Sequence, residues 1–227
     1  MCGNRLEPLD RNEGKMIKKI ILIGAGGHSK SVADSIKESQ YELCGFIDEY
    51  KIGMHIGLPI FGKKIEDILN YNDYSYFVSI GDVAHRKVWF KQIVDMGLDI
   101  VNIIDPSAIV SSSARIGKGN FIGKMAIINA DAEIGDNNVI NTRALVEHEC
   151  KIGNHNHLST NSVVNGNVIV EDEVFMGSSA VCNGQLKIGS GSVIGSGSVI
   201  INDVPPMVTV VGVPARVIKR SIPVIQK

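Results

Sequence analysis

Apolar residues recur at every sixth position through the second half of the chain. Starting at Val110, each step of six lands on an apolar residue as far as Ile200. At 44% apolar composition, such a run has odds on the order of one in a million by chance, before the choice of frame is allowed for. The positions are Val110, Ile116, Ile122, Ile128, Ile134, Ile140, Val146, Ile152, Leu158, Val164, Val170, Met176, Cys182, Ile188, Ile194 and Ile200. The pattern predicts a repeating structure with one inward-facing residue in every six.

A six-residue period fits neither an isolated α-helix nor a two-sided strand, but it fits a parallel β-helix with three short strands in each coil. Each coil then has eighteen residues. The residue after the apolar one is often glycine, and we place these glycines at corners where the backbone bends without a Cβ penalty. They are Gly117, Gly135, Gly153, Gly189 and Gly195. The fifth residue of many repeats is small, as at Ala126 and Ala144, which predicts close packing at the axis.

Strands alternate with helices before the repeats begin. Apolar runs predict strands over residues 18–24, 41–47, 76–80 and 100–104, and helices up to residue 36, near 65–70 and over 84–96. Such alternation is typical of a small parallel α/β domain, here a Rossmann-like half of a dinucleotide fold. We assign residues 16–105 to this domain and 106–220 to the β-helix with a C-terminal cap. The polar residues 1–15 are predicted to be a disordered extension.

A glycine turn follows the first strand and precedes the first helix. Gly26 and Gly27 lie in it, and such a turn offers backbone N–H groups and a positive helix end to a phosphate. Asp48 and Glu49 follow the second strand, where a carboxylate accepts hydrogen bonds from a ribose or a nucleobase. We predict a nucleotide or nucleotide-sugar site here, with a purely structural turn as the alternative. A nicotinamide-dependent oxidoreductase is disfavoured, because only one half of the dinucleotide fold precedes the repeats.

Three of the six histidines fall within ten residues inside the repeats. His148 lies between Glu147 and Glu149, and a histidine beside a carboxylate has what a general base requires. We predict that His148 is the base and Glu149 the acid that orients it. His155 and His157 alternate along a strand as a metal pair would, but no third ligand is suitably spaced. No metal is therefore predicted, and His157 is expected to contact a ligand.

Charge and cysteine content disfavour several classes of protein. The chain has 23 basic and 24 acidic residues and a formal charge of −1, so nothing points to a nucleic acid or a membrane surface as partner. No run approaches the roughly 18 apolar residues of a transmembrane helix, and residues 1–15 lack the apolar core of a signal peptide. The four cysteines lie far apart, which favours reduced thiols in a cytoplasmic protein.

Four segments together resemble the sialic-acid O-acetyltransferase family of bacterial hexapeptide-repeat sugar acyltransferases. They are KKIILIGAGGHSKSVADSI, the Glu147-His148-Glu149 segment, NGNV at residues 165–168 and VVGVPAR from Val210. The resemblance covers nearly all of residues 17–220. It implies a left-handed β-helix, acetyl-CoA as co-substrate, no metal and a homotrimer. It also implies O-acetylation of a sialic-acid-type sugar of surface polysaccharide. Sister enzymes N-acetylate UDP-linked 4-amino-4,6-dideoxy sugars, which is the alternative activity, and a non-catalytic scaffold or sugar-binding protein is a further one.

The resemblance also assigns roles to residues. The catalytic histidine falls on His148 and its supporting acid on Glu149. The acetyl-CoA contacts fall on His157, Gly166, Ser178 and Ser196, and the sugar-nucleotide contacts fall on Gly26, Gly27, His28, Asp48, Glu49 and Gly81. Ser178 and Ser196 are eighteen residues apart, so they occupy equivalent positions of adjacent coils, as a long ligand lying along the prism requires.

The mechanism expected from these residues is direct transfer. His148 takes a proton from an attacking hydroxyl or ammonium group, which adds to the thioester carbonyl. A backbone N–H near Gly166 would stabilise the oxyanion. After the repeats, Arg216, Lys219 and Arg220 are either contacts for the phosphates of coenzyme A or a solvated basic tail.

Overall fold

The structure is a computed structural model that describes residues 18–36 and 40–220. The extension predicted over residues 1–15 lies outside the described residues. Within the described part of the chain, no helix has the length and apolar character needed to cross a membrane.

Residues 18–100 form an α/β domain with two helices and one sheet. The helices are α1 (Gly27–Ile36) and α2 (Val83–Asp95), and the strands are β1 (Lys18–Ile23), β2 (Tyr41–Ile47), β3 (Gly53–His55), β4 (Leu58–Gly62), β5 (Ser75–Val78) and β6 (Asp99–Ile100). The strand order is β3-β4-β2-β1-β5-β6, and all neighbours are parallel except β3 and β4. The expected parallel domain is confirmed, with a hairpin added at one edge.

Three local predictions in this domain were wrong. No strand was predicted between residues 47 and 76, but the segment around residue 60 forms the β3–β4 hairpin. The helix expected near residues 65–70 is replaced by two short 3₁₀ turns, Ile65–Asp67 and Tyr71–Asp73. The strand expected over 100–104 is divided, because β6 pairs with β5 while β7 (Ile103–Ile104) already pairs with the β-helix.

The second half of the chain is a parallel β-helix of two-residue strands. They are β8 (Ile109–Val110), β9 (Arg115–Ile116), β10 (Phe121–Ile122), β11 (Ile127–Ile128), β12 (Glu133–Ile134), β13 (Val139–Ile140), β14 (Leu145–Val146), β15 (Lys151–Ile152), β16 (His157–Leu158), β17 (Val163–Val164), β18 (Ile169–Val170), β19 (Phe175–Met176), β20 (Val181–Cys182), β21 (Lys187–Ile188), β22 (Val193–Ile194) and β23 (Val199–Ile200). Each strand pairs with the strand eighteen residues away, as Phe121 with Val139. The predicted coil length is confirmed.

The apolar first residues of the repeats fill the prism. From Ile122 to Ile200, the first residue of every repeat is buried and belongs to one core cluster. Small residues at the fifth position, such as Ala126 and Ala144, are also fully buried there. Burying one aliphatic side chain contributes about 1.5–3 kcal/mol, so this column dominates the stability of the β-helix.

The corners use a different residue from the one predicted. The backbone bends at the fourth position of each repeat, which has a left-handed φ near +60° in coil after coil, as at Asn137 and Arg143. The glycines at the second position do not have a left-handed φ. They are needed because coils stack closely, since a Cβ added at Gly135 would lie 2.7 Å from the carbonyl oxygen of Gly153. The prediction that these glycines make the bend was wrong.

The β-helix has three outer faces, and the outward side chains on each face are the sixth residues of every third repeat. The faces differ in what covers them. On the covered face, Ile103, Phe121 and Val139 pack against apolar residues of the α/β domain. The aliphatic face carries Ile109, Ile127, Leu145, Val163, Val181 and Val199. The charged face carries Arg115, Glu133, Lys151, Ile169 and Lys187.

After the last coil, the chain forms an antiparallel hairpin of β24 (Val208–Gly212) and β25 (Ala215–Arg220). β24 pairs with β22 and extends the covered sheet. Arg216, Lys219 and Arg220 lie exposed on β25.

Candidate functional site

A cavity of about 310 Å³ lies at the carboxyl ends of β1, β2 and β5. Its lining includes Gly26, Gly27, His28, Asp48, Glu49 and Gly81, which are all six of the predicted sugar-nucleotide contacts. Gly24 has φ +99°, and an added Cβ would lie 2.6 Å from the Ile80 side chain, so it is required by the fold. A Cβ at Gly26, Gly27 or Gly81 would meet nothing within 4 Å. These three glycines therefore keep space open in the cavity instead of serving the packing of the protein.

Asp48 holds the glycine turn in place. Its Oδ2 accepts from the Ala25 N–H at 2.7 Å, and its Oδ1 accepts from the N–H groups of Tyr50 and Lys51 at 3.0 and 2.9 Å. Burial raises the pKa of Asp48, but these three donors and the Lys51 ammonium outweigh it, so the net pKa lies below its ordinary value. The carboxylate lines the cavity while its hydrogen bonds are made to the protein, which gives it a positioning role that the sequence did not indicate.

Glu49 pairs with a histidine that sequence reasoning missed. Its Oε2 lies 2.7 Å from His85 Nε2, and both side chains line the cavity. His85 stands in the first turn of α2, where Asp82 caps the helix by accepting from the His85 N–H at 2.8 Å. A capping Asp before a helix marks where its first turn begins, and this was the available signal for His85.

His28 and His157 meet at the junction of the two domains. Their ring centroids are 6.4 Å apart, and His28 also lies edge-on to Phe121 at 5.2 Å. Burial, together with nearby positive charge, lowers the pKa of each to about 4, so both rings are neutral at pH 7. His157 Nδ1 lies 3.3 Å from the Gly81 carbonyl oxygen and therefore carries the hydrogen. Through this contact His157 lies next to Gly81 of the cavity lining, and its assignment to acetyl-CoA stays a prediction.

His148 lies on the edge between the aliphatic and charged faces, at the third position of its repeat. Its Nδ1 is 3.2 Å from Glu149 Oε2, with the two side chains 58% and 63% exposed. Glu147 Oε2 accepts from the His148 backbone N–H at 3.2 Å. A neutral ring that donates Nδ1–H to Glu149 leaves the Nε2 lone pair available to take a proton. The contact places Glu149 beside Nδ1 of His148, and the roles of the two residues as base and orienting acid stay predictions.

Gly166 lies directly under the imidazole of His148, one coil further along the edge. A Cβ at Gly166 would be 2.6 Å from His148 Nε2 and 2.7 Å from Cε1. The next residue in this column is Gly184, so the column below His148 has no side chain in the next two coils.

Ser178 and Ser196 lie on a different edge, between the covered and aliphatic faces. Both are exposed and occupy the third position of successive coils, as predicted. The aliphatic face separates this edge from the one that carries His148 and Gly166. Within one chain, the predicted base therefore lies beside one predicted cofactor contact, Gly166, but not beside Ser178 or Ser196.

Cys150 and Cys182 are buried inside the prism. Burial raises the pKa of Cys182 to about 12, which leaves it as a thiol that is a poor nucleophile. Among residues 18–36 and 40–220, no three His, Cys, Asp or Glu side chains converge as a metal site would require.

Arg86 of α2 was also missed, although it is 1% exposed and lies between the domains. Its guanidinium donates to carbonyl oxygens of both domains, including Gly81 at 3.1 Å and His155 at 3.0 Å. Burial lowers its pKa to about 10, so it remains charged at pH 7. A lone arginine in a helix gives no sequence signal of this arrangement.

Comparison with known proteins agrees with this architecture. The family model for the PglD N-terminal domain matches residues 19–93. The acetyltransferase domain of PglB from Neisseria gonorrhoeae is 31% identical, with a TM-score of 0.84 over 88% of this chain and all of that one. PerB from Caulobacter crescentus, solved with CoA and GDP-perosamine, is 35% identical, with a TM-score of 0.82 over 88% of this chain and 97% of that one.

Matches among curated proteins are shorter. The UDP-N-acetylbacillosamine N-acetyltransferase of Bacillus subtilis is 33% identical over 117 residues, which are 47% of this chain and 51% of that protein. The chain spans between 13% and 51% of the length of the curated relatives it matches. With the full-length structural matches, the expected fold of a Rossmann-like domain followed by a left-handed hexapeptide β-helix is confirmed.

Proposed function

This chain belongs to the family of sugar acetyltransferases that join a PglD N-terminal domain to a left-handed β-helix, and we propose on that premise that it N-acetylates a nucleotide-linked amino sugar. The acetyl donor is acetyl-CoA, and the acceptor is the amine of a 4-amino-4,6-dideoxy sugar. The observation that carries the proposal is His148, whose Nδ1 lies beside Glu149 and whose Nε2 lies over Gly166, which has no side chain.

Nε2 of His148 accepts the proton that the acceptor nitrogen loses as it attacks the thioester carbonyl carbon. The new C–N bond forms a tetrahedral intermediate, whose oxyanion a backbone N–H near Gly166 stabilises. The intermediate collapses by breaking the C–S bond, and the imidazolium returns its proton to the leaving sulfur. The products are the amide and free CoA. Cys150 and Cys182 of the β-helix are both buried inside the prism, so neither can reach the thioester to form an acyl-enzyme, which supports direct transfer.

The cavity of the α/β domain suits the nucleoside diphosphate of the acceptor. Its open space is kept by Gly26, Gly27 and Gly81, and α1 begins at Gly27 with its positive end at the cavity. Backbone N–H groups at a helix start favour phosphate. Asp48 fixes the turn, and the Glu49–His85 pair provides polar groups at the lining.

A homotrimer explains why Ser178 and Ser196 lie on a different edge from His148. The outward row of the aliphatic face has a Val, Ile or Leu in every coil, and Ile109 is 62% exposed. Burial of this face against neighbouring copies removes apolar surface from water. In a closed ring of three chains, the His148 edge of one chain faces the Ser178 edge of the next. Acetyl-CoA then lies between two β-helices, along Ser178 and Ser196.

The relatives favour an amine over the sialic-acid hydroxyl that was the main reading of the sequence. The Caulobacter crescentus protein is a perosamine N-acetyltransferase, and the Bacillus subtilis protein is also an N-acetyltransferase. The two relatives differ in nucleotide, GDP in one and UDP in the other, so both nucleotides are candidates here.

The test is release of free thiol from acetyl-CoA in the presence of separate acceptors. We expect turnover with a UDP- or GDP-linked 4-amino-4,6-dideoxy sugar and none with the matching 4-hydroxy sugar. Turnover on sialic acid or its cytidine-linked form, without turnover on the amines, would establish O-acetylation and overturn the proposal. A chain that binds neither acetyl-CoA nor any acceptor would be a scaffold.

Replacing Gly166 with alanine is expected to lower kcat by about 100-fold, because the added Cβ occupies the place of the His148 imidazole and displaces it. His148 is exposed, so the ring moves outward and the melting temperature changes little. The matched control is Gly135→Ala, whose Cβ meets the Gly153 carbonyl on another edge. It should lower the melting temperature and leave kcat within about threefold. Equal kcat in both variants would remove Gly166 from this role.

A further inference from the structure

The side chain of Arg86 joins the nucleotide cavity to the β-helix. Its Nη1 donates to Ile80 O at 3.2 Å and Gly81 O at 3.1 Å, both in the loop that lines the cavity. Its other three donors reach turns of two successive coils. The acceptors there are Asn137 O at 3.3 Å, His155 O at 3.0 Å and Asn156 O at 3.1 Å. All five N–H donors of the guanidinium are thus satisfied, and every acceptor is a backbone carbonyl.

Other contacts already attach the α/β domain to the β-helix, so the five hydrogen bonds of Arg86 are not required for attachment alone. Phe90 of α2 is buried and lies edge-on to His155 of the β-helix at 5.6 Å, and the exposed Lys87 pairs with Glu173 across the same junction at 2.5 Å. A buried cation without a carboxylate hydrogen-bond partner is costly to desolvate, whereas an apolar residue of the same volume is often neutral or stabilising. The planar fork of an arginine fixes direction as well as distance. The choice of an arginine at this position therefore indicates that residue 86 orients the α/β domain relative to the β-helix and is not needed merely to hold the two together.

Gly81 is the cavity residue through which Arg86 fixes the position of the cavity wall. Its carbonyl oxygen accepts from Arg86 Nη1 and from His157 Nδ1, so the cavity wall is attached to the covered face at one atom by two donors. Its own Cβ position is open, so Gly81 has no side chain that would otherwise fix it. Without the guanidinium, the Gly81 carbonyl oxygen would keep only the 3.3 Å contact from His157 of these two side-chain contacts.

We propose that Arg86 is a positioning residue that fixes the nucleotide cavity against the β-helix, so that the acceptor amine is presented to the base at reacting distance. The inference rests on the proposed N-acetyltransferase function. Arg86 acts through Gly81 and the turns at Asn137 and His155, and it does not contact substrate. The guanidinium therefore governs the rate of transfer more than the affinity for either ligand.

The test compares Arg86→Met, Arg86→Lys and the matched control Lys87→Met in the full chain. We expect Arg86→Met to lower kcat for the nucleotide-linked amino sugar by about 100-fold, the effect of a misplacement of about 1 Å. Calorimetry should find its Kd for UDP or GDP and for CoA within threefold of the wild type, at unchanged stoichiometry. Arg86→Lys, which keeps the charge but loses the fork, should recover part of the rate, and Lys87→Met should stay within twofold.

A fall in binding stoichiometry that parallels the fall in kcat would show a merely structural role and overturn the proposal, as would an unchanged kcat. Amide hydrogen exchange separates this outcome from failure of the proposed function. If the wild type acetylates no amino sugar, Arg86→Met must still raise exchange by at least tenfold in the loop at 80–82 and the turns at 137 and 155. Unchanged exchange there, against the Lys87→Met control, would refute the inference whatever the reaction.

Discussion

His148→Ala is expected to lower kcat for acetyl transfer by about 10²- to 10⁴-fold, the range for loss of a general base. Its side chain is 58% exposed, and its side-chain hydrogen bond is to the exposed Glu149. The substitution therefore leaves no buried cavity or orphaned buried group, and the melting temperature should stay within about 2 °C. The measurement is initial-rate thiol release with saturating acetyl-CoA and acceptor.

Two further variants test the role assigned to His148. Glu149→Gln should reduce kcat by about tenfold, because the amide still orients the ring but stabilises the imidazolium less. Lys118→Ala is the matched control, since Lys118 is exposed and occupies the third position of its repeat on another edge. It should stay within twofold of the wild type. A His148→Ala protein that folds normally and retains kcat within threefold would show that another group is the base.

The core of the β-helix could be predicted because the buried positions recur at the same six-residue interval as the strands. One inward residue in six is enough to identify the interior, and Ile122 through Ile200 are buried as expected. Identifying the outer faces requires a second, eighteen-residue period, which is also present in the sequence. Steps of eighteen from Ile109 give an aliphatic row, and steps of eighteen from Arg115 give charged residues at four of five positions. A six-residue period alone does not separate these faces.

His157 lies close to His148 in sequence but not on the prism. Nine residues separate it from His148, which is half a coil, so the two side chains lie on different parts of the prism. His148 shares its edge with Gly166, which is eighteen residues away. The hairpin of Gly53–His55 and Leu58–Gly62 was not predicted from the sequence. Its strands are too short for an alternating pattern to stand out from a loop.

Arg86 could not be identified because its partners are backbone carbonyls. Backbone atoms carry no residue signature, and the acceptors come from positions as distant as Ile80 and Asn156. Asp48 is a related case, since its position after a strand predicted a ligand contact while its carboxylate accepts from the glycine turn. The sequence pattern predicted where polar residues of a site lie. It did not predict which of their polar groups make hydrogen bonds within the protein.

Val163→Glu is expected to convert the proposed trimer to a monomer and to reduce kcat by at least 100-fold. Val163 lies in the middle of the aliphatic face, paired with Leu145 and Val181 on the neighbouring coils. Assembly of the variant would bury three carboxylates without a partner, each costing several kcal/mol. The same substitution does not disturb the fold, because the sixth position points out of the prism. Light scattering and circular dichroism measure the two properties separately.

Ile169→Glu is the matched control for this prediction. Ile169 is the sixth residue of the next repeat, but it lies on the charged face between Lys151 and Lys187, where a carboxylate is well placed. It should remain trimeric and fully active. A wild type that is monomeric at assay concentration and still active would contradict a site between subunits. A Val163→Glu protein that is trimeric would instead move the contact between copies to another face, and with it the path of acetyl-CoA between Ser178 and His148.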